Sequence, residues 1–153
     1  MGVQLQLLEA RSAKDFDRAF SAMTREHARA LIVLPSPTFY AEHKRIVDLA
    51  PTSRLPAIFA FKEAADTGGL MAYGANLSDL CRRGATQADK VLRGAEPGDL
   101  PIEQPTKVEL IINLKTAKAL GLTIPPSLLV ARGPGDGVIE PLPPASARDV
   151  PRD

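Results

Sequence analysis

Strand-like apolar runs alternating with stretches of helical period constrain this fold more than any other property of the chain. Residues 3–8, Val-Gln-Leu-Gln-Leu-Leu, alternate apolar and polar before becoming fully apolar, which argues for a strand. Residues 30–34, Ala-Leu-Ile-Val-Leu, are stopped by Pro35 and Pro37, as expected of a parallel strand buried on both faces. Residues 56–61 make a third run, with proline only at its start. Between them, Phe16, Ala19, Phe20 and Met23 recur at helical spacing over residues 13–27, behind a Ser12/Asp15 pair that reads as a capping box. Phe39, His43, Ile46, Val47 and Ala50 mark one side of a second helix. Strand, helix, strand, helix, strand within residues 3–61 is a pair of right-handed crossovers. The expected class is therefore α/β, with a parallel, doubly wound, flavodoxin-like sheet.

Downstream, Gly68-Gly69 turns into a fourth apolar segment over residues 70–73, and Gly74 releases the chain into a long helix. Asn76 is its N-cap and Gly94 its left-handed C-terminal residue, with Leu77, Leu80, Cys81, Ala85, Ala88, Val91 and Leu92 on the inner stripe. Residues 107–113 read as a strand and 114–120 as a short helix ended by Gly121. From Gly133 the composition turns to Gly, Pro, Ala and Asp, so residues 1–132 are expected to form one folded domain and 133–153 a disordered tail. The tail's Pro141-Leu142-Pro143-Pro144 fits a PxxP pattern, which is too common in tails to assign a partner.

Several functions are disfavoured by composition. With 19 Lys and Arg against 18 Asp and Glu, the chain offers no electrostatic footprint for nucleic acid. Cys81 is the only cysteine, so no intramolecular disulfide can form. His27 and His43 lie too far apart for a helical metal pair and read as solvated helix surface. Neither GxGxxG after the first strand nor GxxxxGK[ST] occurs, which removes the usual phosphate cradles. Glu63 and Asp66 lack a partner nucleophile, so no catalytic residue, metal or cofactor is expected.

Ligands of open parallel sheets bind beyond the carboxyl ends of the strands. The corresponding loops here offer Ser36, Thr38 and Phe39 after the second strand, Phe61, Lys62 and Glu63 after the third, and Tyr73 and Asn76 after the fourth. Hydroxyls, one charge of each sign, an amide and aromatic faces are the usual means of holding a small molecule.

The stretch LPAIFAFKEAADTGGLMAYGANLSDLCRRGATQADKVLRGAEPGDLPIEQPTKVELIINLKTAKALGLTIPPSLL closely resembles the C-terminal half of ABC-transporter substrate-binding proteins related to tryptophan-binding receptors. The resemblance runs over about residues 3–129 and implies one lobe, with crossover segments, of a type I periplasmic-binding fold. It implies a small organic ligand held between two lobes, an ABC permease as partner, and ligand contacts at the three loops above. Relatives carry an Asp-Asn pair after the second strand where this chain has Ser36-Pro37, so no amino-acid ligand is carried over. The family works in the periplasm; this N-terminus lacks the basic and apolar regions of a signal peptide, so the expectation for the chain as given is the cytoplasm. The helix over residues 76–94 would cross to the other lobe, and without that lobe its stripe is expected to find another surface, either on its own sheet or, in a homodimer, on a second copy of the chain. The competing reading is a stand-alone flavodoxin-like or receiver-like domain, although a receiver's acidic positions are Glu9 and Phe61 here, only one of them acidic.

Overall fold

A computed structural model describes residues 2–105 and 108–129. A 3-10 turn at Ala13–Asp15 leads into α1 (Phe16–Arg25), followed by β1 (Leu31–Ile32), α2 (Pro37–Ala41), α3 (His43–Thr52), β2 (Ala57–Phe59), α4 (Lys62–Asp66) and β3 (Met71–Ala75). Then come α5 (Leu77–Leu92), a 3-10 turn at Pro97–Asp99, β4 (Val108–Ile112), α6 (Leu114–Ala119) and α7 (Pro126–Leu129). The strands form one sheet in the order β1-β2-β3-β4. β1, β2 and β3 are mutually parallel, each joined to the next through helices, as the crossover pattern requires.

Two expectations about the sheet need correction. β4 runs antiparallel to β3, in register from Met71↔Ile112 to Ala75↔Val108. The reason lies in the route between them: Glu103 on the returning chain meets Arg83 at 3.3 Å and Gln87 at 2.7 Å, so the chain goes out along α5 and comes back beside it. An out-and-back excursion re-enters the sheet at the end it left, and only an antiparallel strand can follow. Residues 3–8 form no strand, and Val3, Leu5 and Leu7 are 73%, 74% and 87% exposed. Alternation expresses only a local preference; a strand also needs a neighbour to accept its hydrogen bonds. Among the described residues nothing pairs with the outer edge of β1.

Local signals were clearest at helix ends. Asp15 Oδ2 accepts from the Ser12 and Arg11 amides and from the Ser12 hydroxyl, each at 3.1 Å. The Ser12 hydroxyl is the main cause holding the Asp15 carboxyl below its ordinary range. Because the folded value is depressed, this stabilisation is complete above the unfolded carboxylate pKa and is lost as pH falls through the folded one. Asp15→Asn is expected to flatten the fall of Tm with acidification below about pH 4, measured by circular dichroism. Gly94 sits at φ 96°, the left-handed residue that ends α5. The second expected helix is broken at Glu42 into α2 and α3, and the loop after β2 contains α4.

One face of the sheet is well filled. Phe16, Phe20 and Met23 of α1, Ile46, Val47 and Ala50 of α3, and Ala64 and Ala65 of α4 pack on Ala57, Phe59, Ala72 and Ile111. The other face is covered mainly at β4, where Leu110 and Ile112 meet Met71, Leu114 and Ile124. Toward β1 it lies open, with Ile32 and Leu34 each 63% exposed. A bare apolar edge strand invites association with other edges. Ile32→Lys is expected to raise the soluble concentration while moving stability by less than about 0.5 kcal/mol, checked by light scattering and urea unfolding.

α5 stands apart, since none of its residues is buried. Leu77 and Leu80 are half-buried, whereas Cys81, Ala85, Ala88, Val91 and Leu92 face solvent. The apolar stripe read from the sequence is real, but none of its residues is buried by the described part of the chain. No helix among the described residues is long and apolar enough to cross a membrane. The expected tail, with its proline motif, lies outside the described residues.

Candidate functional site

Parallel pairing of β1 and β2 sets the loops at their carboxyl ends side by side; the Val33 amide donates to the Ile58 carbonyl at 2.9 Å. Ser36 caps α2, its hydroxyl accepting from the Phe39 amide at 3.4 Å, with Pro37 pre-set at the first helical position. That start fixes two aromatic directions. Phe39 turns toward the core, 6.0 Å from Phe16, and Tyr40 turns to Phe61, ring centroids 5.2 Å apart and nearly perpendicular. His43 donates from Nδ1 to the Tyr40 carbonyl at 2.7 Å. The result is a small hollow of about 20 Å³ between α2 and the start of α4. Phe39, Tyr40 and Phe61 supply its aromatic lining, and Ser36, His43 and Glu63 its polar groups.

Glu63 is the unusual member. Its Oε2 is closed off from solvent and accepts no hydrogen bond. The cation next to it in the chain is engaged elsewhere, Lys62 Nζ lying 3.4 Å from Asp66. Native structures leave few such atoms unpaired, and each asks for a reason.

Of the residues proposed from the sequence, Ser36, Phe39, Phe61 and Glu63 are brought together here, while Thr38 does not line the hollow. Lys62 lines a smaller hollow with Glu63, Gly74 and Glu109. Tyr73 is 50% exposed on β3, away from both. The Asn76 side chain is occupied by structure: Oδ1 accepts from the Asp79 amide at 2.9 Å and Nδ2 donates to Glu109 at 2.8 Å. Asn76→Ala is expected to cost about 1 kcal/mol through the lost cap, read from urea unfolding. Tyr40 and His43 were missed by sequence reasoning. His43 is half-buried rather than solvated. The available signal was their spacing, Tyr40 three residues before His43 at the start of a helix opened by Ser36-Pro37.

A larger, more open cleft at the opposite end of the sheet lies among Arg54, Asp66, Asn113, Lys115 and Thr116. Several of its polar groups are committed to the fold: Asn113 bonds the Thr116 amide and the Ala65 carbonyl, Thr116 donates to Gly68, and Asp66 faces Lys62. The smaller hollow, at the strands' carboxyl ends and with an unpaired carboxylate, is the better candidate.

A family model described as ABC transporter substrate binding protein matches residues 1–133. The chain is similar to the ABC domain in complex with L-Trp from Streptococcus pneumonia, at 26% identity and TM-score 0.76, over 84% of this chain and 43% of that one. It is also similar to a conserved domain protein from Vibrio cholerae, at 24% identity and TM-score 0.69, over 78% of this chain and 40% of the other. A third similar structure is the ligand-free, open form of CD0873 from Clostridium difficile, a substrate binding protein with adhesive properties. There the identity is 22% and the TM-score 0.52, over 76% of this chain and 39% of that one. The two matches below 25% identity speak for the fold alone. No curated protein matches the chain. The chain spans about two fifths of the length of these structures.

Proposed function

Since the chain belongs to the family of ABC transporter substrate binding proteins, we propose that the hollow between α2 and α4 is one wall of a solute site and contacts a small organic molecule. The observation that carries this is the gathering of Ser36, Phe39, Phe61 and Glu63 at the carboxyl ends of parallel strands. No catalytic step is proposed, since the family's role is transport. In the intact system the solute would pass to an ABC permease, and the working compartment would be the periplasm.

At about 20 Å³, the hollow has room for roughly one water and lies far below ligand pockets, which run from about 300 to 1,000 Å³ and enclose most of their ligand. A single open wall should therefore bind weakly, with Kd on the order of 1 mM. The test is an NMR titration of the full chain with L-Trp and a panel of small organic amines and acids. Shifts confined to residues 33–43 and 59–64, diminished in Phe61→Ala, are the expected result. Absence of any local shift with every probe would remove this reading.

A second partner is favoured by α5. Its uncovered Val91 and Leu92, 39% and 86% exposed, continue a stripe with Ala85 and Ala88. We propose that a second copy of the chain covers it, a symmetric pair being the commonest solution. Light scattering should report a dimer that Val91→Glu weakens. A monomer at high concentration, unaltered by the added charge, would refute the pairing.

A further inference from the structure

We propose that the open cleft at the amino ends of β2 and β3 docks an acidic peptide segment of a partner protein. This surface is separate from the solute hollow, which lies at the opposite end of the sheet.

The cleft holds about 1,010 Å³ between the end of α3, the turn into β3 and α6. Its charged lining residues are Arg54, Asp66 and Lys115. Asp66 is answered by Lys62 at 3.4 Å, and Asn113 and Thr116 are bonded within the fold, so the groups left to meet a visitor are cationic. Among the described residues neither Arg54 nor Lys115 has an ion-pair or side-chain hydrogen-bond partner. Lys118, three residues along α6 from Lys115, adds a third exposed cation.

Arg54 occupies its place against a backbone preference. It follows α3 in the left-handed conformation, at φ 52°, its amide donating to the Pro51 carbonyl at 2.9 Å. Glycine normally takes such a position, as Gly68, Gly94 and Gly121 do after α4, α5 and α6. Among the described non-glycine residues only His27 shares it. A disfavoured backbone beneath a guanidinium that pairs with nothing in the fold points to a side chain kept for an outside partner.

The walls narrow the class of partner. Pro51, Pro56, Ala119 and Leu120 give aliphatic surface beside the cations. No aromatic residue among those described lines the cleft, so a nucleobase would find nothing to stack on. The cleft is too open to enclose a small molecule as ligand pockets do, whereas a peptide tethered to its own protein needs no enclosure. Carboxylates on such a peptide suit both the planar fork of Arg54 and the point charge of Lys115.

The test is fluorescence anisotropy of the full chain with three labelled hexapeptides that alternate leucine with glutamate, glutamine or lysine. The glutamate peptide is expected to bind about tenfold more tightly than the glutamine peptide, the combined worth of a few exposed ion pairs, and to lose that advantage in about 1 M salt. Arg54→Gly should weaken the glutamate peptide about threefold while raising the urea midpoint, a combination that damage to the fold cannot produce. Lys115→Gln should weaken it by a similar factor. NMR shifts caused by the peptide should fall on residues 51–56, 66–68 and 113–121. Equal affinity for the three peptides, preference for lysine, shifts confined to other residues, or no binding at millimolar concentration would overturn the proposal. Succinate binding as tightly as the glutamate peptide would overturn it too, by making the occupant a small anion.

Discussion

Gly74→Ala is expected to destabilise the chain by about 3 kcal/mol or more, whereas Gly84→Ala should stabilise it by about 0.5–1 kcal/mol. At Gly74, in β3, an added Cβ would overlap the backbone carbonyl oxygen of Ala60 at the end of β2. Neither partner can swing aside, because one belongs to a strand paired with β4 and the other to the chain leaving β2. A methyl group can be admitted there only by separating main chains. Gly84 is in the middle of α5, where an added Cβ meets nothing within 4 Å. Its replacement removes only the entropic penalty of glycine in a helix. Urea unfolding of both variants gives the signs directly. A neutral Gly74→Ala would mean that β2 and β3 are not held as closely as described.

Phe59→Ala is expected to cost about 3–5 kcal/mol, the usual range for a buried phenylalanine reduced to alanine. The ring is 4% exposed in the central part of the main core, and its edge lies against Gly69, where an added Cβ would come within 3.1 Å of Phe59 Cε2. Gly69 and Ala64, both small and both built close to that ring, cannot expand into the space it leaves. Domains of this kind are stable by only about 5–15 kcal/mol, so the loss takes a large share of the total. Phe59 also lines the candidate hollow, which gives the variant a second readout. The shifts caused by L-Trp should collapse together with the lowered urea midpoint. A loss below about 1 kcal/mol would show that the core around Phe59 is looser than its burial implies.

How much of this was legible from residues alone depends on whether the deciding contact is local. The ends of α5 were readable because Asn76 bonds an amide three residues away and Gly94 adopts a conformation set by its own backbone. The parallel part of the sheet was readable because apolar runs separated by helical periods leave little choice of connection. The direction of β4 was not readable, since its apolar pattern would serve either orientation and the direction follows from the path of the chain, which returns beside α5 where Glu103 meets Arg83 and Gln87. Residues 3–8 carried a strand's pattern but lacked a neighbour. In the candidate site, Ser36, Phe39, Phe61 and Glu63 could be named from their place after strands. Tyr40 and His43 could not, because their arrival in the hollow follows from the break at Glu42, a turn the helical period runs straight through.

The identity between strand order in the sheet and strand order in the chain bears on how the molecule is made. A ribosome delivers residues one after another, at about 5–20 per second, and a sheet whose members join in that same sequence can grow from one edge as they emerge. β2 finds β1 already present, β3 finds β2, and no strand has to be inserted between two that are already paired. The last addition differs in kind: β4 must wait for α5 and its returning segment to leave the tunnel, yet it forms the most extensive pairing in the sheet, over residues 71–75 and 108–112. Until that moment the nascent chain carries β3 as a second open edge, with Ala72 and Met71 in view. The interval between synthesis of residue 75 and residue 112 is therefore the period in which this lobe is most exposed to capture by a chaperone or by another nascent chain.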